Sequence, residues 1–196
     1  MKLLVFDIGS NSVRTLRLTR GAEPEPQLSG KRVYTTRLAE GLAETGALSR
    51  ARMLQSLLVI RSVHAELAAQ GFLSFAYATS AVRDAQNGAA FIASVEEIIG
   101  KGRARILSGE EEAAFAQQGA DPGGERTILD IGGGSTQIVR AGARESWPVG
   151  CVRAKDLAPY DDLPAITEAL YPILSGLFGP PEAGEPRIMQ QNQSFV

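Results

Sequence analysis

The sequence predicts an α/β protein of two related lobes that face one phosphate-filled cleft. Three observations predict it. One short pattern occurs twice: Asp7-Ile8-Gly9-Ser10-Asn11-Ser12 and, 123 positions later (130 minus 7), Asp130-Ile131-Gly132-Gly133-Gly134-Ser135-Thr136. Each copy lies between an apolar run and an alternating run, Leu3 to Phe6 and Val13 to Leu18 in the first, Thr127 to Leu129 and Gln137 to Arg140 in the second. Strand-like and helix-like stretches then alternate along the remaining chain, the mark of an α/β protein.

An apolar strand, an Asp, a Gly with Ser or Thr, and a second strand describe a tight hairpin with exposed backbone N–H groups. Such a nest of N–H groups binds phosphate oxygens. Gly9, Ser10, Asn11 and Ser12, with Gly132, Gly133, Gly134 and Ser135, are therefore candidate phosphate ligands. The Asp at each strand end, Asp7 and Asp130, can hold a divalent metal. A single Asp-x-Gly-Ser is an ordinary turn sequence. Repetition in the same context carries the reading. The pattern lacks the Lys of a P-loop, and a strand rather than a helix follows it, unlike a dinucleotide fingerprint.

In order, residues 2–8 and 12–20 read as the first hairpin. A third strand is expected from about Lys31 to Thr36, and Arg37 to Leu42 reads as a loop. A helix fits Ser49 to Gln70, with Met53, Leu57, Leu58, Val63 and Leu67 near helical spacing, Ser49 as N-cap and Gly71 as stop. Phe72 to Ala78 reads as a buried strand, Thr79 to Asp84 as a polar turn, Ala89 to Ile99 as a helix and Arg103 to Leu107 as a short strand. Ser108 opens a helix to about Gln118. Asp121-Pro122-Gly123-Gly124 is the clearest boundary, which places a first lobe at 1–122. After the second hairpin come a strand around Glu145 to Val149 and helices at Val152 to Leu157 and Pro164 to Phe178. The second lobe is expected at 123–188 and is partial. A stiff linker-like stretch covers 179–186, and 189–196 is expected to be a disordered tail.

Composition narrows the function. The chain has 196 residues, 44% hydrophobic and 21% charged, as in an ordinary soluble domain. Its formal net charge of −2 gives no global attraction to nucleic acid or anionic membrane, so an anion site must be local. No apolar run reaches the length of a membrane span. One cysteine, Cys151, permits no intrachain disulfide and fits a cytoplasmic location. One histidine, His64, and that cysteine exclude a His/Cys zinc cluster. His64 reads as a helix-surface residue and Cys151 as a small buried one.

Glu110, Glu111 and Glu112 stand at a helix start, where acidic residues complement the helix dipole. Ser108 and Glu111 form a capping box. Glu112 is left over, about 100° further round the helix, where a carboxylate can deprotonate a water aimed at phosphate. Arg83 reads either as a surface arginine or as an anion clamp that grips two phosphate oxygens. Lys101, Arg103, Arg105, Arg126 and Arg153 are alternative basic groups.

Taken together, the motifs resemble the exopolyphosphatase/guanosine pentaphosphatase (Ppx/GppA) family. The segments that carry this are Phe6 to Ser12, Arg37 to Leu42, Ala78 to Ala85, Ile106 to Ala113, Leu129 to Thr136 and Gly150 to Val152, in the family's order. The resemblance implies a ribonuclease-H-like, actin-type fold and Mg²⁺-assisted removal of terminal phosphate from polyphosphate or guanosine pentaphosphate. It implies Glu112 as general base, Arg83 as a phosphate-contacting arginine, Asp130 as metal ligand, and the two loops as phosphate ligands. The family motif normally continues with Glu where this chain has Gln137, which becomes a neutral candidate metal ligand. Family members are normally much longer, with a further Gly-Thr loop in lobe two. A shortened homologue that binds phosphate-rich ligands or a partner is the alternative expectation. An ATP-dependent kinase of the same superfamily is a third expectation, which the Ser-Gly-x-Glu-Glu-Ala segment fits less well than it fits the phosphatases. A half-built lobe leaves a sheet edge and an apolar face, so a homodimer is expected.

Overall fold

The computed structural model describes residues 1–21, 25–140, 143–157 and 163–178. The linker-like stretch expected at 179–186 and the tail at 189–196 lie outside them. The chain divides into two compact units, Met1–Asp156 and Leu157–Val196. The boundary expected at 122/123 falls inside the first unit, between its two sheets. In the second unit, α7 runs from Leu163 to Phe178 with Pro172 inside it. None of the described helices is long and apolar enough to cross a membrane.

The first unit opens with strands β1 (Lys2–Ile8), β2 (Ser12–Thr19) and β3 (Gln27–Thr35), then helices α1 (Leu42–Thr45) and α2 (Arg50–Ala68). Strand β4 (Leu73–Ala78), helices α3 (Ser80–Asp84) and α4 (Gly88–Ile99), and strand β5 (Ala104–Ile106) follow. The five strands form one sheet in the order β3-β2-β1-β4-β5. β1 to β3 are antiparallel neighbours, whereas β4 and β5 join in parallel after helical crossovers. The period of two in β1 explains its central place: Leu4, Phe6 and Ile8 are fully buried, and Leu3, Val5 and Asp7 point to the other face. The buried side chains share one core with Ile60, Val63 and Leu67 of α2 and Phe91, Val95 and Ile99 of α4.

Helix α5 (Gly109–Ala120) leads to a second sheet of β6 (Ile128–Ile131), β7 (Thr136–Arg140) and β8 (Ala143–Trp147), in that order. Helix α6 (Cys151–Leu157) follows. The expected caps are present. Ser49 Oγ accepts from Arg52 N–H at 3.3 Å, and Ser108 and Glu111 make both halves of a capping box.

Three expectations are corrected. Leu58 is 65% exposed; the inward stripe of α2 is Ser56, Ile60, Val63 and Leu67, spaced four, three and four. The stretch Thr79 to Asp84 forms the short helix α3 and not a turn, because Ala81 and Val82 bury there. Cys151 is exposed: it is the first residue of α6, placed there by its backbone N–H, which donates to Gly132 O. His64 is partly buried, with Nδ1 2.8 Å from Ser74 Oγ.

Candidate active site

The two copies of the sequence pattern make the same turn. Gly9 N–H donates to Ser12 O at 3.0 Å, and Gly132 N–H donates to Ser135 O at 2.9 Å. Each loop is braced from behind through its carbonyls. Thr36 and Arg37 N–H donate to Asn11 O, and Ala39 N–H donates to Ser10 O. Arg37 holds φ 50°, the left-handed region, to make that brace. In the second loop, the first turn of α6 serves: Cys151 N–H donates to Gly132 O, and Val152 and Arg153 N–H donate to Gly133 O. Loop carbonyls are thus satisfied inside the protein. Among the described residues, the N–H groups of Ser10, Asn11, Gly133 and Gly134 meet no protein acceptor.

The loops touch each other. Ser10 Oγ lies 3.0 Å from Ser80 Oγ, both buried. A Cβ on Gly134 would stand 2.6 Å from Ser80 Oγ and closer still to Ser10 Oγ. On Gly150 it would stand 2.6 Å from the Gly132 carbonyl oxygen. Gly134→Ala is therefore expected to pry the loops apart, costing about 1–3 kcal/mol of stability by overpacking. Chemical denaturation measures it; an unchanged midpoint would mean that the loops are not in contact in solution.

Cross-strand pairing sets the walls of the cleft. In the first sheet Arg14 pairs with Asp7, Asp7 with Tyr77, and Tyr77 with Arg105, so all four share one face. Arg14 Nη1 is 3.8 Å from Asp7 Oδ2, and the Arg105 guanidinium lies 5.7 Å from the Tyr77 ring centroid. In the second sheet the row is Asp130, Gln137 and Ser146. A cleft of about 430 Å³ is lined by Asp7, Gly9 to Ser12 and Arg14 from one side and Asp130 to Gly133 and Ser135 from the other. Tyr77, Thr79, Ser80, Leu107, Glu112, Phe115 and Ala116 complete it.

The structure thus brings together Asp7, Asp130, Glu112 and most of both loops. Gly134 lines a smaller adjoining cavity of about 230 Å³. Arg83 and Gln137 lie outside the lining of the cleft. Gln137 is 1% exposed, and its amide holds Ser135 and Ser146. Arg83 is engaged with Glu112 instead of pointing into the cleft. Its Nη1 donates to Glu112 Oε2 at 3.2 Å and to Leu107 O at 2.9 Å. Asp84 lies 3.7 Å from Arg83 Nε and pairs on its other side with Arg153 of α6. Sequence reading missed Arg14, Tyr77, Ser80 and Phe115. Arg14 had a signal: it follows Asp7 by the seven positions that separate Gln137 from Asp130.

Burial raises the pKa of Glu112 above the ordinary carboxylate value. The Arg83 hydrogen bond and charge pull it back down, and the charges of Asp130 and Asp7 push it up. Asp7 is likewise raised, first by burial, with Arg14 opposing and Asp130 adding. Among the described residues, no three His, Cys, Asp or Glu side chains form a ready-made metal cluster.

The family model described as the Ppx/GppA phosphatase family matches residues 19–171. The chain belongs to this family. It is 28% identical over 190 residues to exopolyphosphatase 2 of Mycobacterium tuberculosis, covering 85% of this chain and 58% of that protein. It is 34% identical over 159 residues to the guanosine-5'-triphosphate,3'-diphosphate pyrophosphatase of Vibrio cholerae, covering 75% of this chain and 31% of that one. An exopolyphosphatase crystal structure from Cytophaga hutchinsonii superimposes with a TM-score of 0.77 at 21% identity, covering 90% of this chain and 62% of that one. The fold class expected from the resemblance is the one observed. This Ppx/GppA chain spans less than two thirds of the length of these relatives.

Proposed function

We propose that this chain hydrolyses the terminal phosphoanhydride of inorganic polyphosphate or guanosine pentaphosphate with Mg²⁺. The observation that carries the reading is Glu112, a partly buried carboxylate held by Arg83 in a cleft floored by two N–H-rich loops. The free amides of Ser10, Asn11 and Gly133 would receive phosphoryl oxygens, as nests of backbone N–H groups do. Glu112 would take the proton of the attacking water. Its raised pKa suits that role, because a base works best when its pKa approaches the working pH. Arg83 opposes the rise through its hydrogen bond and its charge.

The residues fit Mg²⁺. Asp7 and Asp130 come from opposite walls, and Asp130 raises the pKa of Asp7, the mark of like charges that a cation would relieve. Mg²⁺ is usually held by one or two carboxylates together with substrate phosphates and waters, so a larger cluster is not required. When bound, the ion would neutralise charge on the transferring phosphoryl group.

The test is orthophosphate release from polyphosphate and from guanosine pentaphosphate in Mg²⁺. A neutral, buried Gln137 in place of a carboxylate favours a second reading, a phosphate-binding homologue with poor turnover. Tight binding without release would support that reading over hydrolysis.

Arg83→Gln should move the acid limb of the pH–rate profile to higher pH. The active form needs Glu112 ionised, and its charged neighbours are Arg83 on α3, Asp7 on β1 and Asp130 on β6. Only the first lowers its pKa. Removing that cation leaves burial and two like charges, so deprotonation requires a higher pH. A limb that stays in place would show that Arg83 does not act on Glu112.

A further inference from the structure

Gln137 makes two hydrogen bonds that fix the state of a neighbour in the cleft. Its Nε2 donates to Ser135 Oγ at 2.7 Å and to Ser146 Oγ at 3.2 Å. Both Gln137 and Ser135 are nearly inaccessible, 1% and 2% exposed. An amide nitrogen carries protons and no acceptor lone pair, so Ser135 Oγ must accept. The hydroxyl's own proton is then left to donate elsewhere. Among the described residues Ser135 Oγ has no other protein partner, and Ser135 lines the cleft.

Gln137 Oε1 is buried without a partner in this arrangement, so the amide's hydrogen bonds all run through its nitrogen, to the two hydroxyls.

We propose that Gln137 is a positioning residue that turns the Ser135 hydroxyl into a hydrogen-bond donor aimed at the bound phosphate. This rests on the reading of the cleft as a phosphate site. An ionised carboxylate can only accept, so it would draw the Ser135 proton toward itself and leave the cleft a lone pair. A glutamine here therefore favours anion binding by the protein alone and not the binding of a cation.

The experiment is calorimetric titration of the full chain with inorganic tripolyphosphate, in chelator, at about pH 8.5, far above the ordinary carboxyl pKa. Ser135→Ala should weaken binding about tenfold or more, the usual value of a hydrogen bond to a charged group. Gln137→Glu should weaken it at least as much. In the Ser135→Ala background, Gln137→Glu should add less than about threefold, because the hydroxyl through which it acts is gone. Gln137→Met, neutral and similar in volume, removes the donor that holds the hydroxyl and should weaken binding about threefold, less than Ser135→Ala, at an unchanged melting temperature.

Equal losses from Gln137→Glu in both backgrounds would mean simple charge repulsion and overturn the proposal. So would unchanged affinity in a folded Gln137→Met chain, which would mean that the amide does not set the hydroxyl, or a loss as large as that from Gln137→Glu, which would mean packing. No binding by the unaltered chain would overturn both the proposal and the phosphate-cleft reading. Binding with the expected pattern, but no release in Mg²⁺, would uphold the proposal and remove the hydrolase reading alone.

Discussion

Glu112→Gln is expected to lower orthophosphate release by about 10²–10⁴-fold, the range for removing a general base. The substitution changes little else. Glutamine is isosteric, and its Oε1 can still accept from Arg83 Nη1. The helix start does not depend on residue 112, because Ser108 and Glu111 cap it. Substrate affinity should hold or improve, since one of the carboxylates facing a polyanion loses its charge. The effect should therefore fall on kcat and not on KM. Glu111→Ala is the natural control. It breaks the capping box and the Arg105 ion pair at 2.7 Å, so it should lower the melting temperature and leave kcat unchanged. If Glu112→Gln retains full turnover on both substrates, water activation belongs to another group.

What the sequence could show was local. The repeated loop is legible because the Gly N–H to Ser C=O turn bond spans three residues and was written twice. The helix caps at Ser49 and Ser108 are legible for the same reason. The partners of Arg83 were not. The polar run Thr79 to Asp84 looks like a turn, and only burial of Ala81 and Val82 winds it into a helix that carries Arg83 toward Glu112, 29 positions on. Gln137 was singled out, but its task was not visible. That task depends on register, which sets Gln137 between Asp130 and Ser146 on one face of the second sheet. Leu58 shows the limit of periodicity: it has the right spacing for the core side of α2, yet Ser56 is the residue buried there, at 0% exposure.

Removing Mg²⁺ with chelator is expected to stop release, and added Mg²⁺ to restore it. Asp130→Asn is expected to raise the Mg²⁺ concentration for half-maximal rate by about tenfold or more, the effect of about 1.4 kcal/mol. The same substitution should strengthen metal-free binding of tripolyphosphate. The two signs are opposite for one electrostatic reason. Asp7, Glu112 and Asp130 all line a cleft whose loops offer N–H groups to an anion. Without metal, each carboxylate repels the polyanion; with metal, the carboxylates from the two walls would supply the charge to hold it. Asp130 is the informative choice, because its charge acts on both Asp7 and Glu112. Asparagine keeps its shape and its strand pairing with Gln137. A substituted chain with unaltered Mg²⁺ dependence would place the ion elsewhere. A chain that loses both metal dependence and metal-free binding would have lost the loop itself, which the melting temperature would reveal.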